Sequence, residues 1–304
     1  MKNKQVLVLN SISEFHEIAG LPAPEHPLVS VIDYGLVDYQ TDEKDISWLQ
    51  HFYCIGLKHD MNGRFRYGHQ QYDFNGGIVS MVSPGQVVQI TVDKSLPKPS
   101  GIILCLHPDF LWNNPMAKKI KQYDFFGYSV NEALFVSEKE EEVVVDILQK
   151  MKTEYHSNID AFTQGIIIAH LEVLLNYFDR FYQRQFITRQ KTNHQILEKL
   201  EDLLETWFRS GNLIEKGLPQ AQDIASELNI SPNYLGSLLK SLTGQTTQQH
   251  IHGKLIEAAK EKLSTTQLSV SEIAFELGFE HSQSFNRLFK SKTGITPLEY
   301  RSWN

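Results

Sequence analysis

At 304 residues, the chain is about twice the commonest size of a single domain, so we expect two domains, each with its own core. Hydrophobic residues make up 41% and charged residues 21%, which is typical of folded globular proteins and excludes extended disorder and a fibrous architecture. The net charge of −7 excludes a protein that coats nucleic acid through overall positive charge.

The N-terminal decapeptide carries no targeting signal that we recognise. Its apolar run, Val6–Leu9, is shorter than the core of a signal peptide, and no later run has the length needed to span a membrane. We therefore expect a cytoplasmic protein.

Residues 48–108 contain short β-rich stretches separated by Asn-Gly, Gly-Gly and Ser-Pro-Gly turns, a pattern that predicts a small antiparallel sandwich or barrel. Cys54 and Cys105 lie inside two of these stretches without metal-site or redox spacing, and we expect both to be buried, reduced thiols.

Polar residues near one predicted turn are candidates for contacting a small-molecule effector, with an exposed hairpin as the competing interpretation. They are Arg64, Arg66, Tyr67 and His69. The histidines of this region, scattered without His-x-His spacing, argue against a metal-dependent enzyme, so we assign no catalytic residue, metal ligand or cofactor.

Two long helices are predicted next, over Glu138–Tyr155 and Phe162–Gln185. The second is apolar on nearly every side, as expected of a helix that packs both on its own domain and on a second copy of the chain. Burial of the helix within one chain is the alternative.

A repeat dominates the C-terminal third. The segment 224–244 aligns with 273–294 at an offset of 49 that becomes 50, and each copy has the apolar periodicity of two short helices. Asn229 and Gly278 stand between those helices, and both residue types tolerate a left-handed backbone. Each copy is therefore a predicted helix-turn-helix unit.

Local signals mark the surrounding helices. Ser231-Pro232 starts the second helix of the first copy, and Ser269 with Glu272 has capping-box spacing. Between the copies, Thr246–Leu263 predicts a linking helix of about 25 Å, which with its flanking helices would separate the two units by about one DNA turn, ~34 Å. Thr296-Pro297 starts a short terminal helix.

Positive charge is local. Residues 191–304 hold 12 basic and 13 acidic side chains, whereas 282–301 hold four basic residues against Glu299 alone.

These motifs, with the ending Gly294, Pro297, Tyr300 and Arg301, closely resemble the AraC/XylS family of bacterial transcription regulators across the C-terminal third of the chain, 195–304. The resemblance implies that both second helices contact DNA. The implied contact residues are Asn233, Tyr234, Ser237, Lys240, Ser282, Gln283, Asn286, Arg287 and Lys290.

The side chains favour the second unit as the more specific one. Gln283 can pair with adenine, and Arg287 can contact guanine or phosphate. Gly236 offers no side chain, and Ser237 stands where many family members have arginine.

The predicted fold class is therefore α+β with several domains. A cupin-like β-sandwich or barrel with a helical dimerisation segment (1–185) is followed by a linker (186–196) and an all-α domain with two helix-turn-helix units joined by a helix (197–304).

The resemblance also implies a regulator that responds to a small-molecule effector, with double-stranded DNA, a second copy of the chain and RNA polymerase as partners and no membrane. The alternatives are a regulator whose N-terminal domain only dimerises or binds a protein, and a cupin-type enzyme.

Overall fold

The computed structural model describes residues 6–39, 45–59, 77–91, 100–128, 132–158, 160–209, 213 and 217–303. The chain divides into two compact units, 1–185 and 186–304. Residues 186–196, predicted as the linker, are largely helical.

The described part of the first unit holds two sheets. The strands are β1 (Leu7–Leu9), β2 (Val29–Asp33), β3 (Asp45–Gln50), β4 (Tyr53–His59), β5 (Ile78–Val82), β6 (Val87–Thr91), β7 (Ser100–Leu106) and β8 (Leu134–Phe135). One sheet has the order β1-β3-β6 and the other β2-β7-β4-β5-β8. Only the β1–β3 pair is parallel among the pairs of described strands.

The strands confirm the β-rich character predicted for 48–108, but the described strands do not close into a barrel. The Ser-Pro-Gly signal does form the predicted turn: Gly85 has a φ of 85°, and Gln86 N–H donates to Ser83 O at 3.3 Å between β5 and β6. Strands β1 and β2 lie outside the stretches that the sequence predicted.

An aromatic core lies in the first unit, where helix α1 (Ile12–Ile18) packs with strands of both sheets. Phe15, Trp48 and Phe52 are its large members, and Cys105 is buried among them. Cys54 is only half-buried, which corrects the expectation of two fully buried thiols. The two cysteines are direct partners in the register of β4 and β7.

The helices of the first unit follow the sheets. After the short α2 (Met116–Lys119) come α3 (Glu138–Tyr155), as predicted, and α4 (Thr163–Thr188), which starts one residue later and ends three residues later than predicted. A capping box between Ser137 and Glu140 starts α3. None of the described helices combines the length and apolar character that a membrane-spanning segment needs.

The second unit is helical. It contains α5 (Gln190–Arg209), α6 (Ala221–Glu227), α7 (Pro232–Thr243), α8 (Thr247–Thr265), α9 (Val270–Glu276), α10 (Ser282–Thr293) and α11 (Pro297–Trp303). The capping box predicted at Ser269 is present, another between Thr246 and Gln249 starts α8, and Ser231 caps α7 as expected. Pairs α6–α7 and α9–α10 are the two helix-turn-helix units.

The two turns have the same hydrogen-bond pattern. Asn229, with a φ of 57°, donates its N–H to Ser226 O, and the next N–H reaches back five residues to Ala225 O. Gly278, with a φ of 82°, repeats both bonds with Phe275 O and Ala274 O. A left-handed residue therefore ends the first helix of each unit, as predicted.

Each helix-turn-helix pair has its own apolar core, and two helices, α5 and α8, contribute to both cores. The first core contains Leu200 and Leu204 of α5 and Ile251 of α8, together with residues of α6 and α7. The second contains Leu255 and Leu263 of α8 with residues of α9 and α10, and Trp207 of α5 packs against it. The two helix-turn-helix pairs are thus joined through α5 and α8, which contribute to both cores.

Substitution at the two turns should separate backbone strain from crowding. A left-handed backbone costs a residue with a Cβ about 1–2 kcal/mol. At Gly278 the added Cβ would also lie 2.8 Å from the Leu213 carbonyl oxygen. We therefore expect Gly278→Ala to lower the free energy of unfolding more than Asn229→Ala, as measured by urea denaturation followed by circular dichroism.

Asn229→Gly is the matched control, because it installs the residue of the other copy and relieves the strain. Equal losses for Gly278→Ala and Asn229→Ala would contradict the close approach of Leu213.

Candidate nucleic-acid interface

The outward stripe of α10 carries the hydrogen-bonding side chains. Gln283, Arg287 and Lys290 are exposed and follow i, i+4, i+7 spacing, so they share one face of the helix. Phe285 and Phe289, which are fully buried, hold the opposite face on the second core. Ser282 and Asn286 are half-buried at the edges of the stripe.

Helix α7 has the same stripe in the same register. Asn233 and Lys240 are exposed, Gly236 and Ser237 between them are half-buried, and Leu235 and Leu239 anchor the opposite face. Each outward position of α7 has its counterpart one repeat later in α10, where Gln283 matches the asparagine and Lys290 matches the lysine. The decisive difference is Ser237 against Arg287.

The starts of the two helices differ. Ser231 Oγ accepts the Tyr234 N–H at 3.2 Å and caps α7. At the corresponding position of α10, the described side chain of His281 makes no capping hydrogen bond. The Ser284 N–H, which corresponds to that of Tyr234, donates instead to the backbone carbonyl of His281 at 3.0 Å.

Two nearby carboxylates, those of Glu276 and Glu299, are engaged within the fold. Thr296 donates its backbone N–H to Glu299 at 2.6 Å, and this bond holds the pKa of that carboxyl below its usual range. Lys262 pairs with Glu276 at 2.6 Å. Because Glu299 caps α11, its charge is tied to that helix start, while Lys290 on α10 remains exposed.

Tyr234, one of the residues that the family resemblance implied as DNA contacts, is largely buried. It is 5% exposed, and its ring packs edge-on against Phe186 with 5.2 Å between centroids. Phe186 itself is fully buried in the last turn of α4, and the side-chain amide of Asn193 donates to its carbonyl. The ring of Tyr234 therefore fixes α7 from behind instead of pointing outward.

Sequence reasoning missed the part that α5 plays. Leu197, Leu200 and Leu204 follow helical spacing and line the first core, while Trp207 and Phe208 pack against the second. The i, i+3, i+4 recurrence of these residues was a usable signal.

The proposed effector residues Arg64, Arg66, Tyr67 and His69 lie outside the described residues. Among those that are described, no three His, Cys, Asp or Glu side chains converge in a way that could hold a metal ion.

A family model described as a helix-turn-helix domain matches residues 224–302. This range runs from the first helix of one unit to the terminal helix and contains both outward stripes.

Curated relatives share this part of the chain. The chain is 40% identical over 76 residues to the uncharacterized transcriptional regulatory protein YesN of Bacillus subtilis, covering 24% of this chain and 21% of that one. It is 41% identical over 83 residues to the ornithine utilization regulator of Pseudomonas aeruginosa, covering 27% and 24%. The chain thus spans about a quarter or less of the length of these relatives.

Among solved structures, the C-terminal domain of the two-component response regulator yesN from Fusobacterium nucleatum is 31% identical. The match covers 33% of this chain and 96% of that one, with a TM-score of 0.28.

The contact between Phe186 and Tyr234 should contribute measurably to stability. Phe186→Ala leaves a cavity beneath α7, and a buried Phe→Ala change costs about 3–5 kcal/mol. We expect urea unfolding of the helical unit at correspondingly lower denaturant concentration. The neighbouring Ile187 is 57% exposed, so Ile187→Ala is the control and should have little effect. Equal midpoints for the two variants would show that Phe186 does not support α7.

Proposed function

We propose, from the premise that residues 224–302 are a helix-turn-helix domain of the AraC type, that the chain is a sequence-specific DNA-binding transcription regulator. The observation that carries the proposal is the pair of outward stripes in equivalent register on α7 and α10. Each is held by a separate apolar core, and the two cores share α5 and α8. Two reading surfaces at a fixed separation suit successive major grooves on one face of a duplex.

The chemistry of the α10 stripe suits direct reading of bases. The Gln283 amide presents a donor and an acceptor that match the edge of adenine, and the Arg287 guanidinium presents two donors that match guanine O6 and N7. Lys290, one turn further on, suits a phosphate.

The α7 stripe suits a less discriminating contact. Asn233 and Lys240 retain hydrogen-bonding capacity, but Gly236 and Ser237 present little beyond the backbone where α10 has an asparagine and Arg287. The affinity for a particular base sequence should therefore depend mainly on the helix-turn-helix pair that contains α10, while the pair that contains α7 orients the protein on the duplex.

A metabolite-responsive regulator is the form of this function that we favour. Relatives of the helix-turn-helix region include the regulator of the raffinose operon of Pediococcus pentosaceus and the ornithine utilization regulator. The first unit, with its own sheets and aromatic core, is a separate body in which an effector can bind. We propose a cupin-like sensor role for it and a cytoplasmic site of action, with RNA polymerase as the partner that responds.

One observation favours a second role for the first unit, that of dimerisation. Phe162, which directly precedes α4, is 72% exposed. Ile166 and Val173 are 40% and 45% exposed, and their spacing of seven residues places them on one side of α4. The inward side of the same helix buries residues such as Leu171 and Phe178. We propose that this exposed stripe packs against a second copy of the chain.

Selection of duplexes from a random pool by the full chain tests DNA binding directly. We expect an enriched sequence with two conserved segments about one helical turn apart, around 10 base pairs centre to centre. An unenriched pool would overturn the proposal.

Variants then locate the specificity. Arg287→Ala should weaken binding to the selected site by about 1–3 kcal/mol, a factor of about 5 to 150. Arg287→Lys keeps the charge but loses the two-donor fork, so it should lose much of the same discrimination. Ser237→Ala should change affinity less, and Lys254→Ala, which removes a lysine paired with Glu257 on α8, is the charge control. Fluorescence titration at fixed salt measures all four, and a loss for Lys254→Ala equal to that for Arg287→Ala would contradict base reading by α10.

The mass of the chain in solution tests the stripe on α4. We expect a dimer by light scattering at micromolar concentration and a monomer for Val173→Glu, because a carboxylate in an apolar interface is costly to desolvate. Val87 on β6 is 58% exposed, so Val87→Glu is the matched control and should remain dimeric. A monomeric parent protein would remove the dimer proposal.

A thermal-shift screen of small metabolites against the full chain separates sensing from dimerisation alone. A ligand that binds the folded state raises the apparent stability. A hit that leaves the scattering mass unchanged would support an effector site.

A further inference from the structure

The two thiols of the chain, which are far apart in sequence, meet in the middle of the five-stranded sheet. Cys54 on β4 and Cys105 on β7 are directly opposite each other in antiparallel register. Their Sγ atoms lie 3.1 Å apart, and both cysteines are free.

The backbone at this position already fits a disulfide. Directly opposite residues of antiparallel strands have Cα atoms about 4.5 or 5.5 Å apart, and disulfides span Cα separations of about 4.4–6.8 Å. Closing the gap from 3.1 Å to a covalent S–S bond of about 2.05 Å needs a side-chain movement of about 1 Å. The register therefore places the two cysteines within reach of a disulfide.

The surroundings give the two sulfurs different roles. Cys54 is half-buried, whereas Cys105 is fully buried in the aromatic core, so Cys54 is the more accessible residue of the pair. Burial raises the pKa of the Cys105 thiol, which keeps that sulfur protonated and unreactive towards solvent.

We propose that Cys54 and Cys105 form a reversible redox pair, with Cys54 as the thiol that reacts with a hydroperoxide and Cys105 as the resolving thiol. This modification site is independent of the proposed DNA-binding function.

The chemistry balances with a hydroperoxide as the oxidant. The Cys54 sulfur, as thiolate, attacks one peroxide oxygen; the O–O bond breaks, and the departing hydroxide takes a proton to leave as water. The Cys54 sulfenic acid is then attacked by the Cys105 sulfur. An S–S bond forms, the S–O bond breaks, and the hydroxyl leaves as water with the Cys105 proton. The two sulfurs give up two electrons in total, and the peroxide accepts them.

The bond would crosslink two neighbouring strands within the first unit. Because it joins β4 to β7 and closes a long loop of the chain, it restricts the unfolded state, and oxidation should raise the melting temperature of that unit. The effect should vanish on reduction.

The test uses the full chain treated with hydrogen peroxide, then denatured and alkylated with N-ethylmaleimide. We expect neither cysteine to react with N-ethylmaleimide and the intact mass to be lower by two hydrogens. Tryptic peptides 45–58 and 95–118 should migrate as one species until dithiothreitol separates them. Two alkylatable thiols after treatment, a Cys54 sulfinic acid without crosslink, or a disulfide between two chains would each overturn the proposal.

Single variants test the division of roles. In Cys105→Ala the sulfenic acid has no partner, so dimedone should label Cys54; in Cys54→Ala the buried Cys105 should remain unlabelled under native conditions. Dimedone labelling of Cys105 in folded Cys54→Ala, with circular dichroism as the check on folding, would overturn the assignment. The parent-chain experiment stands even if a variant fails to fold.

Discussion

The sharing of α8 between two apolar cores is the constraint on which the helical unit depends. Ile251 near its start belongs to the first core, and Leu255 and Leu263 belong to the second. Since the rise per residue of an α-helix is fixed, the two cores cannot change their separation without breaking one of them. Helix α5 has the same arrangement, with leucines in the first core and Trp207 packed against the second. Two helices therefore set the separation of the two cores.

Within that frame, the two copies of the motif keep their inward side chains alike and differ outward. Leu235 and Leu239 have the aromatic counterparts Phe285 and Phe289, which serve the same packing purpose. The outward pair of Ser237 and its arginine counterpart differs in charge, length and number of donors. The duplicated motif therefore carries two surfaces that differ in their hydrogen-bonding groups. Changing an outward residue costs little folding stability, because the change does not disturb the core.

Structural features that depend on only a few neighbouring residues were predictable from the sequence. The caps at Ser231, Thr246 and Ser269 and the left-handed turn at Asn229 follow from local hydrogen bonding and backbone preference, and all are present. The stripe on α10 followed from helical periodicity. Features that depend on long-range contact were not predictable in this way. Helical periodicity alone would place Tyr234 at the edge of the α7 stripe, and only the packing of Phe186, from a distant part of the chain, makes it a core residue. The facing of the two cysteines is set by strand register, which no local spacing encodes. Strand β1 has only three residues, so its alternation is too brief to distinguish it from a loop.

The packing of Phe186 against Tyr234 also determines where the helix-turn-helix part can be excised for expression. The matched helix-turn-helix region begins at residue 224, and the sequence pattern suggests a start at 197. A fragment cut at either point would leave the back of α7 uncovered and present an aromatic ring to water, a surface that invites aggregation. A fragment that begins at or before residue 186 keeps the contact between Phe186 and Tyr234. A fragment for crystallisation trials with DNA should therefore start no later than residue 186.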